Sequence, residues 1–345
     1  MRFRAFKYLS PFIIYLGSFH AFMVTGWPIW IPLVYAWIIV PGLELFIKPD
    51  ARNLSTAEEE LAKNDKTYDL ILYVIVILQY AALARFLYAM SVDEMTWLDI
   101  TGRIWVMGML CGVFGINAGH ELGHRTNKLE QTLAKCLLLT SQYMHFFIEH
   151  NKGHHKRVAT PDDPSSARLG EMVYAFYFRS IVFSYFSAWH IAASDMRKEN
   201  RPVVSFHNQM IRFTLIQLAF IATIVIVFGW LVTLYYLLSA AIGILLLETV
   251  NYIEHYGLQR KVLEGGKYER AMPAHSWNSD HVIGRLMLFE LSRHSDHHYL
   301  ASRKYQVLRH HDDSPQMPTG YPGMMILALV PPAWFFVMNK KVQKL

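Results

Sequence analysis

Nine histidines of this 345-residue chain fall where their spacing could do chemistry. Between Asn117 and His155 the sequence runs N-A-G-H-E-L-G-H-R, then about two dozen residues that read as a helix, then E-H-N-K-G-H-H. These boxes supply His120, His124, His150, His154 and His155. His255 follows in N-Y-I-E-H-Y-G, and His294, His297 and His298 in R-H-S-D-H-H. A neutral imidazole is the commonest protein ligand for a transition metal, and residues four apart share one face of a helix. His120 and His124 have that spacing, as do His150 and His154, and His294, His297 and His298 share one face. His155, about 100° further round than His154, points elsewhere. Nine imidazoles exceed the needs of one tetrahedral ion and suit two ions holding four or five each.

Liganding imidazoles usually donate their second N–H to a carboxylate or carbonyl. Glu121, Glu149, Glu254, Asp296 and the Asp162–Asp163 pair lie in or near the boxes and are the expected acceptors, with Glu254 and Asp296 the best placed. His20, His145 and His190 are lone residues on apolar faces and read as packing groups. His207, His275, His281, His310 and His311 are scattered among loops. Two cysteines, Cys111 and Cys136, cannot build a cysteine-ligated cluster or a disulfide framework. His120-Glu121-Leu122-Gly123-His124 also satisfies H-E-x-x-H, the zinc metalloprotease pattern. That motif leaves the other histidines unexplained and carries a glycine inside its helix. A metal transporter would want ligands at the bilayer midplane, whereas these lie where apolar runs end.

The elements that must position these groups are membrane helices. Hydrophobic residues make up 53% of the chain and gather in long runs. Lipid offers backbone groups no water, so such runs must be helical. Six spans are expected, at about 8–25, 28–47, 68–90, 96–119, 209–229 and 231–254. The fourth delivers His120 and the sixth His255. The connectors near 26–28, 91–96 and 229–231 carry no Lys or Arg, while the N-terminus, the 48–67 loop, the 119–208 insert and everything beyond His255 are rich in both. By the positive-inside bias, the N-terminus and all nine histidines belong on the cytoplasmic side of the inner membrane. Stretches at 129–149, 172–192 and 321–338 read as interfacial helices. The expected fold is therefore a single all-α integral-membrane domain, six transmembrane helices under a cytoplasmic helical cap formed by 120–208 and 255–345. The net charge of +6 is then loop charge, and no basic, aromatic-rich module points to nucleic acid.

The boxes H-E-L-G-H, E-H-N-K-G-H-H and R-H-S-D-H-H resemble those of the integral-membrane di-iron family of acyl-lipid desaturases, hydroxylases and alkane monooxygenases. N-Y-I-E-H-Y-G-L resembles the signature of its alkane 1-monooxygenase branch, and the resemblance covers nearly the whole chain. It departs at Leu291-Ser292-Arg293-His294, where the family commonly has glutamine in place of the serine. The resemblance implies two non-haem Fe ions held by the nine histidines, with His120, His124, His150, His155 and His298 on one and His154, His255, His294 and His297 on the other. It implies terminal hydroxylation of linear medium-chain alkanes with O2 and two electrons from rubredoxin, itself fed by a reductase and NAD(P)H. A membrane fatty-acid desaturase or hydroxylase with the same site is the alternative. Iron follows from the resemblance alone, because raw imidazole affinity favours copper and zinc.

An alkane has no polar handle, so it must be oriented by shape, in a channel reached from the bilayer. Trp37 lies mid-span, away from the interface where membrane tryptophans concentrate, and is expected to bound that channel. Val113, Ile116 and Asn117 lie on the His120 face of their helix and are expected wall residues. No glycine loop or cysteine cluster here holds an electron carrier. Rubredoxins are acidic, so Arg157, Arg168, Arg197, Lys198, Arg260, Lys261, Arg303 and Lys304 are the expected docking cations, although topology alone would place charge there too.

Overall fold

A computed structural model describes residues 2–92 and 94–345. Regular structure among them is helical, and extended segments pair only in two isolated bridges, Val262–Tyr268 and Asn278–Gln316. Four helices among the described residues are long and apolar enough to cross a membrane: Trp27–Glu44, Thr67–Val92, Trp97–Gly123 and Gln209–His255. Large apolar side chains on and beside these helices face outward, among them Leu16, Ile77, Ile226 and Trp230, each at least 70% exposed. A soluble protein would not leave so much apolar surface in water. This is a multi-pass membrane protein.

The 47-residue Gln209–His255 helix is broken at Gly229, whose φ of 83° and ψ of 169° only glycine adopts without strain. The break falls between the two runs expected at 209–229 and 231–254. The first expected span differs from expectation. It is a 3-10 turn, Phe6–Leu9, followed by a ten-residue α-helix, Phe12–Ala21. At about 1.5 Å per residue that helix reaches roughly 15 Å, half the hydrocarbon thickness. Pro11 sets its start, and Gly26, at φ 76°, marks the turn beyond its end. The 321–338 stretch is also two helices, Tyr321–Ala328 and Pro331–Val342, bent by 120°, because Pro331 and Pro332 have no N–H to continue the first.

The two helices that deliver His120 and His255 pack against each other through small residues. A Cβ on Gly108 would lie 2.5 Å from Ile242 Cγ2, and one on Gly243 would lie 2.5 Å from Cys111 Cβ. Such close backbone approach is the usual means of joining helices in lipid. Here it sets the ends of Trp97–Gly123 and Gln209–His255 side by side. Cys111 is a buried packing residue in this seam.

Candidate metal centre and substrate cavity

All nine histidines converge, and they form two sets. His120, His124, His150, His155 and His297 make one; His154, His255, His294 and His298 make the other, and within each set the ligand atoms lie within 4.8 Å of one another. In the first set, His120 Nε2 is 3.0 Å from His297 Nε2, His150 Nε2 is 3.1 Å from His124 Nε2, and His155 Nε2 is 3.0 and 3.1 Å from those of His150 and His297. In the second, His298 Nε2 is 2.9 Å from His294 Nε2 and 3.2 Å from His154 Nε2, with His255 Nε2 3.2 Å from His294 Nε2. Two nitrogens bound at a right angle to one ion, each at about 2.1 Å, would be about 3.0 Å apart. The donor set therefore fits a pair of cations, one with five imidazoles and one with four. The sets abut, the His155 and His298 ring centroids lying 4.4 Å apart.

This grouping exchanges His297 and His298 relative to the partition implied by resemblance. His294 and His298 are one turn apart on the short His294–Tyr299 helix and stack toward the same point, while His297 turns across to His120 and His155. The spacing reading also fails at the second box. Glu149–His154 is a π-helical turn, in which residue i bonds residue i+5 and not i+4. His150 therefore aligns with His155, and His154 is turned away into the other set. Gly153 permits the turn, because a Cβ there would lie 1.7 Å from Glu149 Oε2.

Burial, followed by the neighbouring rings, pushes the pKa values of His124, His150, His155, His294, His297 and His298 well below the usual imidazole range. The rings are neutral at physiological pH, the form that binds a metal. Two carboxylates stand beside them. Asp163 Oδ2 accepts from His154 Nδ1 at 2.8 Å, which aims the His154 Nε2 lone pair inward. Burial alone would raise Asp163, but its interaction with the His154 ring and the bonds from His154 and Ser166 prevail and hold it at about 2. Glu254 Oε1 lies 3.2 Å from His294 Nδ1 and accepts from Tyr321 OH at 2.9 Å. Ser166 and Tyr321 were not legible as site residues.

The other expected acceptors serve different partners. Glu121 is held by Arg125 at 2.6 Å and Glu149 by Arg157 at 2.7 Å. Asp296 binds Arg303, His311 Nε2 and the Arg309 amide, and Asp162 is exposed. An arginine within eight residues takes the charge of each buried exception, and none of them bonds a histidine of either set. His310 and His311 are accounted for in the same way, by Asp280 and Asp296. Ser292, at the unusual position of the third box, bonds the Ser279 carbonyl at 2.8 Å and faces no histidine.

An apolar cavity runs onto these rings. His120 and His150 of the first set and His294 of the second line it, as do Trp37, Val113 and Asn117. Ile116 does not. It packs with Leu138 and Tyr143, because Cys111–Ile116 is another π turn and rotates its last residue off the expected face. A third π turn, Tyr35–Ile39, carries Trp37. The remaining wall comes from Leu246, Val250, Met287, Leu288 and Met325, which single-helix periodicity cannot assign to a shared cavity.

Half of the expected docking cations are committed elsewhere. Arg303 pairs with Asp296, Lys304 with Asp69, Arg157 with Glu149, and Arg260 donates to the Glu269 and Lys156 carbonyls. Arg168, Arg197, Lys198 and Lys261 are exposed.

Comparison with known proteins agrees with this architecture. The family model described as fatty acid desaturase matches residues 95–328, the segment that holds every histidine of both sets. Alkane 1-monooxygenase 1 of Pseudomonas aeruginosa is 47% identical over 73% of this chain and 66% of its own length. Alkane 1-monooxygenase 2 of the same organism is 37% identical over 92% and 85%, and the alkane 1-monooxygenase of Ectopseudomonas oleovorans 38% over 92% and 80%. The chain thus belongs to the fatty acid desaturase family and, within it, to the alkane 1-monooxygenases.

Proposed function

We infer that this chain hydroxylates the terminal carbon of linear medium-chain alkanes, using O2 and two electrons from rubredoxin, which a reductase refills from NAD(P)H. The observation that carries this reading is the cavity. It is lined mainly by apolar side chains, has no Lys or Arg in its wall that would bind a carboxylate or phosphate headgroup, and reaches imidazoles of both sets. Its few polar side chains, Asn117, Asn251 and Glu254, are at the histidine end. A desaturase acting on a headgroup-bearing acyl chain would need a polar subsite that this wall lacks.

Two iron ions are the proposed cofactor, and when bound they supply dioxygen activation and the oxidising power to break a C–H bond. His120, His124, His150, His155 and His297 would hold one, and His154, His255, His294 and His298 the other. The protein's own contribution is to orient and to exclude. Asp163 keeps the His154 proton on Nδ1, and Glu254 Oε1 stands 3.2 Å from His294 Nδ1. Asn117 donates one amide N–H to the Leu288 carbonyl at 3.0 Å, which fixes its orientation in the wall. Trp37 and Val113 confine a chain so that only an end reaches the rings.

The charge asymmetry of the loops supports a site on the cytoplasmic face of the inner membrane. Six crossings result if Phe12–Ala21 and both arms of Gln209–His255 each count. Incubation of the iron-loaded protein with reduced rubredoxin, O2 and octane should yield 1-octanol. Recovery of octenes, or of internal alcohols as the main product, would sink the assignment.

A further inference from the structure

Turning an alkane, O2 and two electrons into an alcohol and water consumes two protons, which must reach the histidine end of the cavity. One neighbouring region offers them a route. Glu248 sits two turns before His255 in apolar sequence, is 1% exposed, and has no role in the function proposed above. Its Oε1 accepts from Tyr143 OH at 2.8 Å, and its Oε2 from Ser180 Oγ at 2.5 Å and Asn251 Nδ2 at 3.3 Å. Ser165 Oγ lies 3.5 Å from Ser180 Oγ and 3.4 Å from Ser184 Oγ.

Ser180, Ser184 and Ser187 recur at i, i+4 and i+7 of the otherwise largely apolar Val173–Lys198 helix, so they form one stripe of hydroxyls. Its outer end, half-buried Ser187, accepts from Arg157 at 2.7 Å, and the Arg157 side chain is 28% exposed. At the inner end a small cavity, with room for about one water, lies among Glu248, Ser165, Ser184, Glu149, His150 and His154. Asn251 is bonded to Glu248 and lines the alkane cavity, and His150 lines both cavities.

We propose that Glu248 and the Ser184–Ser165–Ser180 hydroxyls, with Ser187 one turn further out on the same stripe, form a proton relay from the Arg157 side of the protein to the histidine end of the alkane cavity. A hydroxyl accepts a proton on a lone pair while releasing its own, so the stripe passes protons without any residue travelling. Glu248 receives the proton, gives it up toward the oxygen atom that leaves as water, and is recharged along the serines. A purely structural tie between two helices would need the Ser180–Glu248 bond, but neither a stripe toward Arg157 nor a cavity against the imidazoles.

The relay rests on the hydroxylation reading, and the test separates the two. Glu248→Gln, Ser180→Ala and Ser184→Ala are compared with wild type and with Ser205→Ala, outside the stripe, as full-length iron-loaded protein in lipid nanodiscs. Glu248→Gln is expected to lower kcat on octane about tenfold or more at unchanged KM, iron content and melting temperature. The serine variants should lose less and show a larger solvent deuterium isotope effect. Independently of turnover, infrared spectroscopy should show a buried carboxyl band, absent from Glu248→Gln, that exchanges deuterium faster in wild type than in Ser180→Ala. Wild-type kcat and isotope effect in Glu248→Gln, a missing Glu248 band, or exchange indifferent to the serines would each overturn the relay. If wild type makes no alcohol, the hydroxylation reading fails while the infrared comparison still decides the relay.

Discussion

At the scale of single residues, the second layer around the imidazoles decides how well they hold a metal. Asp163 is fully enclosed and fixes His154 through one short hydrogen bond, itself braced by Ser166 at 2.6 Å. Asp163→Asn keeps the shape but removes the charge that holds the ring tautomer. Partners of this kind are worth about 10–100-fold in metal affinity. Metal analysis after dialysis against a graded chelator should show the four-histidine set losing its ion first, while Asp162→Asn, on the exposed neighbour, changes nothing. Trp37 makes a separate prediction. Its ring occupies the cavity wall from the middle of its helix, so Trp37→Ser should lengthen the space beyond the site and shift the accepted alkanes toward longer chains. Gas chromatography of products from a mixture of alkanes would read this directly. An unchanged length preference would mean that the ring only packs.

At the scale of elements, the spacing of the boxes revealed which histidines belong together as a centre but not how they divide. The sorting depends on the π turn at Glu149–His154, and nothing in E-H-N-K-G-H-H distinguishes an i→i+5 turn from an α-helical one. The same device at Cys111–Ile116 displaced Ile116 from the cavity, while Val113 and Asn117 do line it. Apolar run lengths located Thr67–Val92, Trp97–Gly123 and the broken Gln209–His255 pair within a few residues, because lipid forces helices there. At residues 8–25 the α-helix is shorter than the run, Phe12–Ala21, and the 321–338 stretch is two helices bent by 120° at its proline pair. The π turn can be tested on its own. Gly153→Ala must displace Glu149 Oε2 and Arg157 Nη2, 1.7 and 2.6 Å from the new Cβ. The expected cost is about 1–3 kcal/mol of overpacking and the joint loss of His150, His154 and His155 alignment, read as a lower melting temperature and reduced metal in both sets. Wild-type metal content in this variant would mean that the turn does not sort the ligands.

At the scale of the whole molecule, the chain's beginning is clamped to the third box by a buried charge cluster. Tyr8 OH donates to Glu290 Oε1 at 2.6 Å across 282 residues of sequence, Arg285 Nε donates to Glu290 Oε2 at 2.7 Å, and Lys7 lies 3.5 Å away. Arg293, next to His294, binds Asp280 and the Leu308 and Arg52 carbonyls, so the clamp also fixes the helix carrying three of the histidines. Burial alone would raise the Glu290 carboxyl, but Arg285, Lys7 and Arg293 overrule it and leave it below the usual glutamate value. A carboxylate whose folded pKa is depressed binds protons more readily unfolded. Its stabilisation is therefore complete above the usual value of about 4.3 and is lost as pH falls through the lower folded value. Glu290→Gln should cost about 3 kcal/mol at neutral pH, chiefly by leaving Arg285 buried beside a neutral group. The difference in melting temperature between wild type and Glu290→Gln, measured on metal-free protein to keep histidine ligation out of the comparison, should be constant from pH 8 to about 5 and shrink below that. A gap that persists undiminished into strong acid would mean that Glu290 contributes by shape and not by charge.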